Sequence, residues 1–466
     1  MALPLYPPGP KGKLPWLHAL AFYRSPLDLL MHLAREYGDL VHLQIGPTHI
    51  WLLNHPDYIK DVLVTRQRNF AKTLGFLRSP SEKALPRATW LKLLLGEGLL
   101  TSEGDVHQHQ RRILQPAFHA HNLATYGAVM TQCAARTREQ WQDRAALDIA
   151  QEMRRLTLTV IGRALFGADV ESEAGEISQA FATIIDLHGR LTMPLAVRLQ
   201  EFSLPTTRRF RKALGRLHIT ISRLIEERQA SGTGRDDLLS LLLYAQNTGD
   251  DGGDMTDGQV WDHLRTFFLT GYFTTANALT WTWYLLSQHP DVEAKLHAEL
   301  DSVLMGRLPT ADDLEHLPYT HMVFAEALRL YPPIWVMPRW ALNDYEAGGY
   351  VLPARSLVLI SQYVMHHDPR YFPDPFRFDP QRHTPEAKTG RPAYAYFPFG
   401  GGPRQCIGEG FAWTEGVLLI ATLAQQWQMR LVPGHPVELQ PQLSTTLQPR
   451  YGVRMILERR KSLPDP

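Results

Sequence analysis

Between Phe397 and Ala412 the chain reads FPFGGGPRQCIGEGFA, and one cysteine, Cys406, stands between glycines and the start of an apolar helical run. Glycines such as Gly400, Gly401, Gly402 and Gly408 permit positive φ and let backbone approach a flat partner closely. A cysteine at the start of a helix meets oriented N–H groups, which favour thiolate over thiol. The combination suits a thiolate bound to a large planar cofactor. A buried cysteine in a glycine-rich turn and a phosphate loop lacking its lysine are the alternatives. Other catalytic patterns are missing: the sequence has no HExxH, no phosphate loop ending in Gly-Lys-Ser/Thr and no GxSxG. Gly96 and Gly98 stand without the rest of a dinucleotide fingerprint. His107 with His109, and His119 with His121, are spaced by two, which on a helix turns the rings nearly opposite and disfavours a shared ion.

The 466 residues include 48 Lys and Arg against 47 Asp and Glu, and two cysteines. That balance argues against a polyphosphate partner, which requires a basic excess, so nucleic acid is not expected. Two cysteines cannot build a disulfide framework, and a reducing compartment follows. Cys133 lies in a helical stretch without charged partners arranged around it and reads as a small core residue. The opening residues MALPLYPPGPKGKLP carry no leader pattern, which points to a soluble, cytoplasmic protein without a membrane anchor.

These side chains need elements to hold them. Residues 40–54, LVHLQIGPTHIWLLN, alternate apolar positions around Gly46 and Pro47 and predict two short strands. From about Val106 to Gln246 the apolar spacing turns helical. Residues 247–258 predict a loop, with Thr256 or Asp257 capping a long helix to about Gln288, roughly 45 to 50 Å at 1.5 Å per residue. The stretch Thr266 to Gln288 carries no formal charge and is long enough to span a bilayer. Its threonines, Asn277, Ser287 and Gln288 suit a helix buried in a globular core instead. Further helices are expected over 291–305, 319–331 and 408–426. The sum is a mainly α fold with a smaller β-rich part, at about 35–70 and 332–400, in a single domain over residues 1–466.

Phe399, Gly402, Arg404, Cys406 and Gly408 spell F-x-x-G-x-R-x-C-x-G, which resembles the haem-binding loop of the cytochromes P450, the haem-thiolate monooxygenases. Glu326-Ala327-Leu328-Arg329, followed by LYPPIWVMPR, resembles that family's E-x-x-R helix and its continuation. His107 and Arg111, with Arg112 and Pro116-Ala117-Phe118 after them, resemble the family's helix at the haem edge. The resemblance covers nearly the whole chain. It implies a cytochrome P450 fold, with a long central helix over a buried haem b (iron protoporphyrin IX), and Cys406 as its iron ligand. It further implies His107, Arg111, Arg339 and Arg404 as propionate partners and Phe399 beside the thiolate. Glu326 and Arg329 would join Arg382 of FDPQRH in a buried structural triad, although Gln381 and His383 stand where the family more often has Glu and Phe.

One segment departs from the pattern. Where family members commonly show A/G-G-x-D/E-T-T/S, this chain has Thr270-Gly271-Tyr272-Phe273-Thr274-Thr275. Gly271, Thr274 and Thr275 match, but Phe273, natural or engineered, replaces the acid and cannot relay a proton; its ring would narrow the distal pocket. The resemblance therefore implies a monooxygenase that hydroxylates or epoxidises a hydrophobic molecule such as a fatty acid, terpenoid or xenobiotic. It would use dioxygen and a separate ferredoxin- or flavodoxin-type partner, since no fused reductase follows Cys406. The alternatives are a peroxygenase driven by hydrogen peroxide and a non-catalytic haem protein. Phe76, Leu77, Leu269, Val336 and Met337 are expected to line the substrate pocket of a monomer.

Overall fold

The computed structural model describes residues 6–10, 15–45, 48–72, 95–168, 205–231, 237–247, 255–441 and 446–460, with Ile177, Ala180 and Thr183 besides. The fold is mainly α with a smaller β part. Two compact units make it up: the first takes Met1–Ala88, Leu328–Cys406 and Pro441–Leu447, the second Thr89–Ala327, Ile407–Gln440 and Gln448–Pro466.

The first unit holds the larger sheet. The alternation read in residues 40–54 becomes an antiparallel pair, Leu40–Ile45 against Thr48–Leu53, with Leu40 opposite Leu53 and Ile45 opposite Thr48. Thr48–Leu53 then runs parallel to Leu357–Ile360, which pairs antiparallel with Met337–Ala341 and through it with Phe70–Ala71. Strands covered on both faces read as unbroken apolar runs, and Trp51-Leu52-Leu53 and Val358-Leu359-Ile360 are such runs, all buried. Trp51, Ile59, Phe70, Tyr345, Val358 and Phe397 belong to the core beneath them.

The second unit is built on the long helix Asp257–Gln288. Of the two candidate caps the structure uses Thr256: its hydroxyl accepts from Gln259 N at 3.3 Å, and Gln259 Oε1 accepts from Thr256 N at 2.9 Å. The uncharged polar run is buried in protein, with Thr275, Asn277, Thr280 and Thr282 between 0 and 4% exposed. Thr280 and Thr282 satisfy their hydroxyls by donating to the carbonyls of Ala276 and Ala278 at 2.7 and 2.8 Å. Among the described residues no helix is long and apolar enough to cross a membrane.

The long helix packs on Ile149–Phe166. Gly271 permits the approach, because a Cβ there would lie 2.8 Å from Ile161 Cδ1. The helix Glu409–Ala424, which follows the cysteine loop, packs on Ala120–Gln140. Arg138 Nη1 donates to Thr422 O at 2.8 Å there, and the Tyr126 and Phe411 rings meet at 5.7 Å. A three-stranded antiparallel sheet, Ala146–Asp148, Arg454–Arg459 and Trp427–Leu431, completes the unit.

Candidate functional site

The cysteine loop lies in the first unit and is shaped by its own backbone. Gly400 N donates to Phe397 O at 3.0 Å, Gln405 N to Gly402 O at 2.9 Å and Cys406 N to Phe399 O at 3.0 Å. Gly400 and Gly402 take φ of +74° and +66°. At Gly402 space forbids a side chain as well, since a Cβ would fall 2.0 Å from the carbonyl oxygen of Leu63. The result presents Cys406 as an exposed cysteine outside any disulfide, and Phe399 and Arg404 are half-buried. Met337 flanks the loop, its sulfur 3.5 Å from where a Gly400 Cβ would stand.

A fully buried histidine anchors the loop from inside. His366 Nε2 accepts from Phe397 N at 3.1 Å. Burial, and then the nearby His367 and Arg329, hold this imidazole well below its ordinary pKa, so the ring stays neutral and keeps the lone pair it needs as an acceptor. Arg329 Nη1 donates to the carbonyls of His366 at 2.7 Å and Pro375 at 2.6 Å, and Nη2 to that of Arg377 at 3.1 Å. Arg382 donates to Asp374 O at 3.0 Å. Arg329 and Arg382 thus meet on one stretch, 374–377, through its carbonyls, while Glu326 is fully buried one helical turn before Arg329. Arg339, 7% exposed, sits on the strand Met337–Ala341 beside buried Val336, and its Nη1 donates to Pro338 O at 2.8 Å.

In the second unit the turn Thr270–Thr275 is laced by its own hydroxyls. Thr274 Oγ1 donates to Thr270 O at 2.8 Å and Thr275 Oγ1 to Gly271 O at 3.3 Å. Thr157 Oγ1, from the neighbouring helix, donates to Tyr272 O at 3.1 Å. Phe273 is 4% exposed, with the Arg154 guanidinium 5.9 Å from its ring centroid and the Tyr272 ring edge-on at 6.0 Å. Leu269 is buried one turn earlier. His107 is buried and Arg111 half-buried on Gly104–Leu114, four residues apart and hence on one face. Gly408 caps the helix Glu409–Ala424. Phe76 and Leu77 lie outside the described residues.

Sequence reasoning missed three groups. His366 gave no signal, being one of twenty histidines. Asp262 holds Glu97 N at 2.7 Å and pairs with Arg265. Glu415 is fully buried, and its one signal is a lone acid inside the apolar run Phe411–Ala424. The reading of Cys133 needs correction: it is buried, but Arg163 Nη1 reaches its sulfur at 4.0 Å, and Arg136 and Arg155 line the same small cavity. Arg155 and Arg163 come from the neighbouring helix, of which the periodicity around Cys133 gives no view, while Arg136 follows Cys133 by three residues on its own helix.

The cytochrome P450 family model matches residues 7–456. Cyclooctatin synthase of Streptomyces melanosporofaciens is 42% identical over 95% of this chain and 93% of that one. Cyclooctat-9-en-7-ol 5-monooxygenase of the same organism is 38% identical over 91% and 89%. Pentalenene oxygenase of Streptomyces avermitilis is 34% identical over 93% of each. A retinoic-acid-bound cyanobacterial CYP120A1 structure superposes with a TM-score of 0.83 at 26% identity, covering 98% of this chain and 100% of that one. The chain belongs to the cytochrome P450 family. Membership makes it an oxidoreductase of the monooxygenase type with a haem-thiolate cofactor, and implies a hydrophobic substrate, dioxygen and a redox partner.

The residues present fit such a cofactor. The loop offers an accessible thiol on a backbone that glycines hold in place, and arginines on separate elements can bind carboxylates bidentately.

Proposed function

We propose that this chain binds haem b through Cys406 and inserts one oxygen atom into a terpenoid, by hydroxylation or epoxidation. The observation that carries the substrate class is identity of 34 to 42% over nearly the full chain to relatives named for oxygenating pentalenene and cyclooctat-9-en-7-ol and for making cyclooctatin. Haem bound there would supply the activation of dioxygen, the oxidant, with the electrons coming from a separate ferredoxin- or flavodoxin-type protein.

The chain's own residues do the rest. Arg404, Arg339, His107 and Arg111 bind the propionates, and Phe399, Gly402 and Gly408 shape the loop around the thiolate. Arg329 and Arg382, with Glu326, hold the stretch on which that loop depends. Leu269, Val336 and Met337 would each give an apolar substrate a side chain to pack on. Gly271 lets the long helix sit close against Ile161. Thr274, its proton held by Thr270 O, keeps oxygen lone pairs available to water, and the neighbouring Thr275 hydroxyl, held by Gly271 O, does likewise. The protein works as a soluble cytoplasmic monomer.

A second reading, turnover driven by hydrogen peroxide, rests on Phe273, which can neither hold nor pass a proton where the family carries an acid. The first test is the absorption spectrum of the reduced protein with carbon monoxide. A thiolate-type Soret band, lost in Cys406→Ala, is expected; a histidine-type band or no haem at all would overturn the reading. Phe273→Glu separates the two drivers: product formation with dioxygen should rise and with peroxide fall. Unchanged behaviour with both would remove Phe273 from the mechanism.

A further inference from the structure

A cysteine beside three arginines is no ordinary core residue. Cys133 is 3% exposed on the helix Ala120–Gln140, and Arg163 Nη1, from the helix Ile149–Phe166, donates to its sulfur at 4.0 Å. Both helices belong to the second unit. The cavity at the sulfur is lined also by Arg136, Arg155, Thr137 and Thr159. Three arginines line it and no acid does; Glu152, which pairs with Arg155 at 3.1 Å, lies outside the lining. The space open to the centre of a water-sized sphere is about 10 Å³, room for one small molecule.

One hydroxyl in this lining is left over. Thr159 Oγ1 donates to Arg155 O at 2.9 Å, and Thr131, on the same helix as Cys133, donates to Pro309 O at 3.0 Å. Thr137 is 8% exposed, and its hydroxyl meets no partner among the described residues. A buried hydroxyl without a partner is costly, so the lining suits a small polar molecule that bonds to it. The arginines favour the thiolate of Cys133 over its thiol, and the thiolate is the nucleophile. Hydrogen peroxide is polar, only slightly larger than water, and an electrophile toward thiolates. We propose that Cys133 is a peroxide-reactive site, in which Arg163 holds the thiolate and the Thr137 hydroxyl holds hydrogen peroxide in the arginine-lined cavity. Nothing in this chemistry depends on the oxygenase reading.

The step transfers two electrons. Cys133 Sγ, having released its proton to solvent, attacks one peroxide oxygen; the S–O bond forms as the O–O bond breaks. Sulfur is oxidised to a sulfenic acid, and the departing hydroxide, stabilised by the arginines, takes a proton from solvent and leaves as water. The second unit contains no other cysteine, so no neighbouring thiol within it can turn the sulfenic acid into a disulfide.

The test uses the full-length haem-loaded protein, exposed to hydrogen peroxide, then unfolded, alkylated and read by peptide mass spectrometry. The variants leave the cysteine loop untouched, so ratios of their rates cancel peroxide lost at the haem. The Cys133 peptide should gain one oxygen and lose alkylation about tenfold or more faster in the parent protein than in Arg163→Leu, the scale of a neighbouring charge on a thiol. Arg163→Lys should keep most of the rate, which a merely structural role for the guanidinium would not predict. Thr137→Val, at nearly constant volume, should slow it about fivefold, one hydrogen bond's worth. A bulky aromatic disulfide should label Cys133 only after unfolding. Cys133 left reduced by peroxide, or an Arg163→Leu rate equal to the parent's, would overturn the proposal. Labelling of the folded chain by the bulky disulfide as fast as by peroxide would do so too, because the thiol would then be reached by opening of the helices and not through the cavity. If Arg163→Leu does not fold, Arg155→Gln carries the charge test, with an unchanged rate counting against the proposal.

Discussion

The cysteine loop and the Thr270–Thr275 turn are governed by different forces. In the loop, main-chain demands fix residue types: positive φ at Gly400 and Gly402, a carbonyl pressed on Gly402, and a hydrogen bond donated by Cys406 N to Phe399 O. In the helix turn the backbone is regular, so side chains are free to change as long as their volume packs. Phenylalanine at 273 is tolerated for that reason, buried against Arg154 and Tyr272. The loop should therefore break under small geometric insults, and the turn should answer mainly to changes in polarity and protonation.

Gly402→Ala gives the largest expected effect. Its methyl would meet the Leu63 carbonyl at 2.0 Å, and φ of +66° adds strain for any residue with a Cβ. Relief requires the loop to leave Leu63, so a loss of about 3 kcal/mol or more is expected by urea unfolding. Gly408→Ala makes the control, because a Cβ there would lie 3.8 Å from Phe118, an ordinary contact. Equal stability of the two variants would refute the backbone account of the loop.

This contrast also explains what could be read from the sequence. The loop's glycines and cysteine are spaced by local geometry, so adjacent residues announce them. The long helix was visible for a related reason: uncharged polar residues over many turns have few other homes than a buried helix. The support behind the loop was not visible, because Arg329 works on carbonyls of residues 366–377, and carbonyls leave no mark on residue type. Nor could it be foreseen that neither carboxyl oxygen of Glu415 meets a hydrogen-bond partner among the described residues. An acid in an apolar run says that it is buried but does not say against what. Cys133 failed in the same way, with Arg163 supplied by a helix that its own periodicity does not reveal.

Sensitivity to protonation can be read as stability in the second unit. Burial makes Glu415 keep its proton in the folded chain up to about pH 8, while the unfolded chain releases it near the ordinary value of 4.5. Between those values the folded state binds more protons than the unfolded one, so this group's contribution to stability declines as pH rises. Below the window it is protonated in both states and above it ionised in both, so the slope vanishes at each end. The decline should be about 1 kcal/mol per pH unit. Glu415→Gln should flatten it, measured as the difference in unfolding free energy between the two proteins at several pH values. A constant difference across the window would show that Glu415 is not held protonated.

The smallest effect concerns the bond that ties the turn to its neighbour. Thr157 Oγ1 donates to Tyr272 O, and also to Met153 O at 2.8 Å within its own helix. Thr157→Val removes the hydroxyl at nearly constant volume. The Tyr272 carbonyl sits in a regular helix and loses a second partner, so the cost should be about 1 kcal/mol, the net worth of one hydrogen bond. Hydrogen exchange gives the sharper reading. If the Thr157 bond steadies the turn, amides just C-terminal to Tyr272 should exchange faster in Thr157→Val while those near Thr256 and Gln288 do not. If exchange rises evenly along the helix, the bond contributes only to overall stability. The turn would then owe its shape to the close packing of Gly271 on Ile161, and the regular backbone itself would be what lets a phenylalanine stand at 273.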